Sequence, residues 1–108
     1  MSNFYKNEDK RRVLYDWADG DFKASKALII KSEEAVGDHY HLKKDEVFFL
    51  LKGKAKRVII GTQESFDIEA PAKWECKRGT YHLFLLEKDS MLLCSATELF
   101  DPYDEITK

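Results

Sequence analysis

Three histidines and one glutamate fall at spacings that can gather four donor atoms around one point. His39 and His41 are two residues apart in a strand-like segment, so both imidazoles face the same way. A charged break follows at Lys43-Lys44-Asp45, and the chain resumes as Glu46-Val47-Phe48-Phe49-Leu50-Leu51. If that break is a tight hairpin, the Glu46 carboxylate reaches the point that the two imidazoles approach. His82 comes much later, three residues after Gly79, at the head of another strand-like run. Imidazole nitrogens with one carboxylate suit Zn, Mn, Fe, Ni or Co better than Ca or Mg, which want oxygen. Donors gathered on one side of an ion leave positions open for water or substrate. The expected site is one divalent transition metal on His39, His41, Glu46 and His82. The plainer reading of a lone histidine is a satisfied core residue. A buried Glu46 without a cationic partner would be costly, however, and a divalent ion supplies that partner.

The elements that must position these residues read as strands. Short β-branched, aromatic and leucine-rich runs cover 12–17, 22–31, 38–42, 46–51, 54–60, 64–68, 73–77, 81–87 and 91–97. The breaks between them carry turn chemistry: Asp19-Gly20-Asp21, Lys52-Gly53, Gly61-Thr62, Pro71 and Arg78-Gly79. Many short strands joined by tight turns predict an all-β, closed or double-sheet architecture. At 108 residues the chain makes one domain, with a core over about 12–98 and an acidic surface tail over 99–108.

Strand parity then sorts the side chains. If Glu46 and His82 face the interior, so do Phe48, Leu50, Phe84 and Leu86, an apolar floor under the ligands. Val47, Phe49 and Leu51, with Tyr81, Leu83 and Leu85, face the other way and are also apolar. A second sheet or a second subunit must cover them, and a homodimer is the expectation. Tyr40 and Tyr81 flank ligands but point away from the ion by the same parity. Trp17 and Trp74 read as packing residues, with sugar stacking at a pocket mouth as the alternative for Trp74.

Composition limits the partners. Lys and Arg number 18 against 20 Asp and Glu, a net charge of −2, which favours neither nucleic acid nor an anionic membrane. The basic stretch Lys52-Gly53-Lys54-Ala55-Lys56-Arg57 reads as a solvated turn before a phosphate site. No apolar run approaches the roughly 18 residues of a membrane span. The first residues hold no apolar signal region, so a cytoplasmic address is expected. Cys76 and Cys94 form no C-x-x-C pair and read as buried thiols.

The residues also carry a family resemblance. Gly37-Asp38-His39-Tyr40-His41-Leu42-Lys43-Lys44-Asp45-Glu46, then six residues and Gly53, resembles the first cupin motif. Gly79-Thr80-Tyr81-His82 is similar to the core of the second, although Lys77-Arg78 stands where a proline is common and Leu86 where asparagine is. The resemblance implies a cupin jelly-roll barrel and the same four ligands. It also leaves three functions open, because this fold hosts many. One is an isomerase or epimerase of a sugar, sugar phosphate or sugar nucleotide, working through a metal-stabilised enediolate. The segment Glu98-Leu99-Phe100-Asp101-Pro102 resembles that of small cupins of polysaccharide and nucleotide-sugar pathways. The second is a metal-dependent dioxygenase, and the third a non-catalytic module that binds a small molecule. Ligation uses every histidine, so the sequence nominates no acid or base for the first.

Overall fold

The strand β5 (Glu46–Lys52) is buried at its first five positions, so both of its faces are covered. Its inner residues Phe48 and Leu50 enter a core with Phe84, Leu86, Trp74 and Leu92. Its outer residue Phe49 is enclosed by the rings of Phe4, Tyr15 and Trp17, with centroids 5.1, 5.2 and 5.6 Å away. Those rings belong to the N-terminal hairpin of β1 (Tyr5–Glu8) and β2 (Val13–Asp16) and its flanks. The cover that parity demands on this strand therefore comes from the chain itself. Sequence reading did not anticipate β1, because Tyr5-Lys6-Asn7-Glu8 is exposed throughout and carries no apolar alternation.

The computed structural model describes residues 2–107. The remaining elements are β3 (Ala24–Ile29), β4 (Glu34–His39), β6 (Lys54–Ile60), β7 (Gln63–Glu69), β8 (Ala72–Cys76), β9 (His82–Leu86), β10 (Met91–Ala96) and a 3₁₀ turn, η1 (Pro102–Asp104). Two four-stranded antiparallel sheets face each other, in the orders β3-β10-β5-β8 and β4-β9-β6-β7. Inner-facing residues of both sheets fill the space between them, as an all-β double-sheet architecture requires. Cys76 and Cys94 are buried free thiols in this interior. Among the described residues no helix is long and apolar enough to cross a membrane.

Two departures from the predicted elements bear on the site. The strand expected over 38–42 lies earlier, as β4, and ends at His39. Gly37 and Asp38 both have positive φ, 100° and 66°, and the register with β9 slips between Gly37 and His39. This bulge ends regular pairing, so simple alternation does not orient His39 and His41. Gly37 is needed there: a Cβ would lie 2.7 Å from the His82 carbonyl oxygen. The second departure is the closing segment, which is tied into the barrel. Tyr40 and Ile106 exchange backbone hydrogen bonds of 3.0 Å each way, and Asp104 is 3 % exposed.

Gly53 turns β5 into β6 at φ 93°, and a Cβ there would stand 2.2 Å from Ser90 Oγ and 2.7 Å from Ser90 Cα. Ser90 is fully buried and its hydroxyl accepts from the Lys54 amide at 3.1 Å, so it cannot yield. Gly53→Ala should therefore lower stability by about 2–4 kcal/mol through strain and overpacking, read as a lower urea midpoint at unchanged slope.

Candidate metal centre

The four candidate ligands come from three strand ends and one turn. His39 closes β4, His41 follows it, Glu46 opens β5 and His82 opens β9. His39 and His82 are cross-strand partners, which brings the first and last histidines together. The donor atoms of His39, His41 and His82 all lie within 4.8 Å of one another. Glu46 Oε1 is 3.0 Å from His41 Nε2 and 3.9 Å from His82 Nε2. His41 and Glu46 are each 4 % exposed and His82 2 %, whereas His39 is half-buried. The structure thus brings all four sequence-predicted residues to one end of the barrel interior.

The donor chemistry fits a cation. His41 Nδ1 lies 2.9 Å from the Asp104 carbonyl oxygen, which can only accept, so Nδ1 carries the proton. Its Nε2 faces Glu46 Oε1 at 3.0 Å: an imidazolium would form an ion pair there, and a neutral ring would present a lone pair to a buried oxygen that has no other hydrogen-bond partner. With the ring neutral, these two electron-rich atoms would repel unless a positive charge lay between their lone pairs. Donors at right angles and about 2.1 Å from one ion stand about 3.0 Å apart, the spacing found here. The other carboxylate oxygen, Oε2, accepts from Cys94 Sγ at 3.3 Å, which holds the group in place.

Charge states support the same fit. Burial acts to raise the Glu46 carboxyl, but a hydrogen bond and positive charge from a protonated His41 ring, with smaller pulls from Lys44 and His82, outweigh it and leave the group at about 2; a cation at the same place would act in the same direction. Burial pushes His82 down to about 4, against the pull of Glu46. Burial, reinforced by His41, also lowers His39. At neutral pH the set therefore offers an anionic carboxylate and neutral His39 and His82 rings, the forms that bind metal.

Two supports were not legible beforehand. Asp104 is placed by the 3₁₀ turn, whose Asp101 N-cap accepts from the Tyr103 amide, and its own carboxylate accepts from the Leu42 and Lys43 amides at 2.9 and 3.1 Å. Asp101-Pro102 was the available signal for that turn, but nothing local shows where it docks. Lys44, read as part of a charged break, is 5 % exposed. The tyrosines are structural: Tyr40 pairs with Ile106, and the Tyr81 hydroxyl donates to Asp38 at the bulge. Trp74 lies in the core, and Trp17 stacks on Phe49.

No protein-family model matches the chain, and no curated protein matches it in sequence. Solved structures do. A 3,4-ketoisomerase from Helicobacter canadensis superposes with a TM-score of 0.83 at 15 % identity, over 98 % of this chain and 87 % of that one. WlaRA from Campylobacter jejuni, a TDP-fucose-3,4-ketoisomerase, gives 0.79 at 17 % identity over 97 % and 85 %. The QdtA 3,4-ketoisomerase from Thermoanaerobacterium thermosaccharolyticum, a double mutant in complex with TDP, gives 0.79 at 25 % identity over 97 % and 83 %. A further QdtA structure holds TDP-4-keto-6-deoxyglucose. The all-β cupin barrel implied by the two motifs is the fold of this chain.

The loop between ligands is clasped from outside. Asp45 accepts from the Arg78 amide at 2.8 Å and from its guanidinium at 3.2 and 3.3 Å, joining the Glu46 turn to the turn before His82. The side-chain bond from Arg78 is the main cause of a lowered Asp45 pKa. A depressed carboxylate stabilises the fold above its unfolded pKa and loses that contribution as pH falls through the folded one. Asp45→Asn should cost about 0.5–1 kcal/mol near neutrality, discounted for solvent screening. The difference from wild type should shrink on acidification below the ordinary aspartate range, as thermal melts across pH would show.

Proposed function

We propose that this chain is a metal-dependent isomerase acting on a sugar carried by a nucleotide or phosphate. The observation that carries the metal is the convergence of three imidazoles, their donor atoms within 4.8 Å of one another, beside the buried Glu46 carboxylate. The sugar class is supported by the named activities of proteins that share the fold over nearly the whole chain. A bound divalent ion supplies Lewis-acid polarisation of a carbonyl. The residues of the chain do the rest. His41, oriented through Asp104, and Glu46, oriented through Cys94, fix the centre without reorganisation. Phe48 and Phe84, with rings 4.8 Å apart, close its floor against water.

A second reading is favoured by His39. Its ring is half-buried, the most accessible of the three, and its lowered pKa leaves it a free base near neutral pH. Proton transfer by His39 without a metal would supply the base that ligation by all three histidines removes. Dioxygenase or purely binding roles have no observation of their own in their favour.

Protein purified without an affinity tag should contain about one transition-metal ion per chain, by elemental analysis. His41→Ala and Glu46→Gln should lose most of it, and unchanged metal content in both would sink the metal site. Offered TDP-4-keto-6-deoxyglucose, the protein should form an isomerised keto sugar by NMR, and Glu46→Gln should be slower by about 100-fold or more. Turnover that survives complete metal removal would select the His39 reading, and substrate-dependent oxygen uptake would replace both with oxygenation.

The expected homodimer belongs to the same proposal. Phe66 is 61 % exposed on the outer face of the β4-β9-β6-β7 sheet, in register with Arg57 and, beyond it, Leu85. Sedimentation should give twice the chain mass, and Phe66→Asp should shift it towards the monomer.

A further inference from the structure

Beside the imidazole cluster lies a cavity of about 220 Å³ between the inner face of β3 and β10 and the head of β5. Glu46 and Cys94 form one side, Lys26 and Lys44 contribute two ammonium groups, and Glu98 and Phe100 stand at the rim. Lys44 is unusual among these. It is 5 % exposed, and among the described residues it has no hydrogen-bond or ion-pair partner. Burying a cation without a matched anion is costly unless another charge is meant to arrive.

The other charges around the cavity relieve it only in part, through the attraction between Lys44 and the Glu46 carboxylate. Glu98 is already held by Lys23 Nζ, at 2.9 and 3.2 Å. Glu46 faces His41 and takes the Cys94 thiol on its second oxygen. A metal ion on Glu46 would only make the surroundings more positive. With or without one, two lysines outnumber the single carboxylate left to answer them.

We propose that this cavity is an anion subsite, in which Lys44, assisted by Lys26 at the mouth, binds a carboxylate or phosphate group of a small ligand. Its volume corresponds to roughly seven waters at ~30 Å³ each, so it admits a monosaccharide-sized acid or a phosphate group, not a whole nucleotide. The ligand would thus bring a negative charge to within reach of the imidazole cluster. This rests on reading that end of the barrel as the ligand site, and not on turnover.

The test is an NMR titration of the intact protein, as purified, with inorganic phosphate, D-glucuronate and D-glucose. Phosphate or glucuronate should shift the amides of Lys44, Glu46 and Cys94 saturably, and glucose should not. The tighter of the two identifies the anionic group. Lys44→Met should weaken that binding by about tenfold or more, the loss of one charge-assisted hydrogen bond, while Lys44→Arg restores part of it. The melting temperature of Lys44→Met should hold or rise, since a buried unpaired charge is removed. If that variant does not fold, Lys26→Met must show weakened binding instead. Binding of neither anion by wild type, or equal binding by wild type and the folded Met variant, overturns the subsite. Lys44-dependent anion binding with no turnover of the keto sugar would discard the isomerase reading and leave the subsite standing.

Discussion

Glu46 sets the terms for much of this structure. A carboxylate at the head of a strand buried on both faces has lost nearly all of its water, and only specific partners can compensate. One oxygen has such a partner in the Cys94 thiol; the other has only the His41 ring, with Nε2 at 3.0 Å, to answer its charge at close range. That imbalance constrains the neighbouring elements. His41 must present Nε2 inward, which requires its Nδ1 to be occupied. The residue that occupies it, Asp104, must be brought back from the far end of the chain. The 3₁₀ turn that holds Asp104 and the Tyr40–Ile106 bridge are therefore parts of the site as much as of the fold.

Rigidity at this end of the barrel comes from several short links rather than from one sheet. The bulge at Gly37 and Asp38 breaks the ladder where His39 must leave it, and the Tyr81 hydroxyl braces Asp38 there. The Asp45–Arg78 clasp and the bond from the Gly79 amide to the His41 carbonyl join the segment before Glu46 to the turn before His82. Regular pairing could not do this, because alternation places side chains two residues apart and cannot converge three rings from two strands. Irregular backbone at a site is costly, and here it is supported by side-chain bonds at each step.

Much of the barrel was legible because its strands are short, apolar and separated by turn residues. The convergence of His39, His41, Glu46 and His82 was legible because two of them, His39 and His41, share a local spacing, and Glu46 follows one turn later. Parity also placed Phe48, Leu50, Phe84 and Leu86 in the core. The strand containing the histidines was misplaced, however, since the bulge begins at Gly37 and periodicity cannot register a left-handed residue such as Asp38. Asp104 and Phe4 escaped notice for a different reason: their partners are distant in sequence and their own segments are polar or irregular, so no local pattern distinguishes them from surface. Tyr15 and Trp17 fall on and beside the strand read at 12–17, but its docking over Phe49 has no local signal. Lys44 is the clearest case: a lysine in a charged turn is ordinarily solvated, and only the fold shows that this one is not.

The three imidazoles are equivalent in type but not in setting, and that difference bears on any reaction here. His41 and His82 are buried, and His41 is locked in one tautomer by a backbone carbonyl, which suits a fixed donor. Burial also holds His82 well below the ordinary imidazole range, so that ring is neutral near pH 7. His39 differs: it stands at the open end of the cluster, half-buried, at the last residue of β4. A ring in that position can exchange a proton with a ligand or with solvent at less cost. The buried pair with Glu46 thus forms a centre that can be held rigid, while His39 is the member that solvent or a ligand can reach. A graded exposure of this kind puts three identical side chains in three different electrostatic settings.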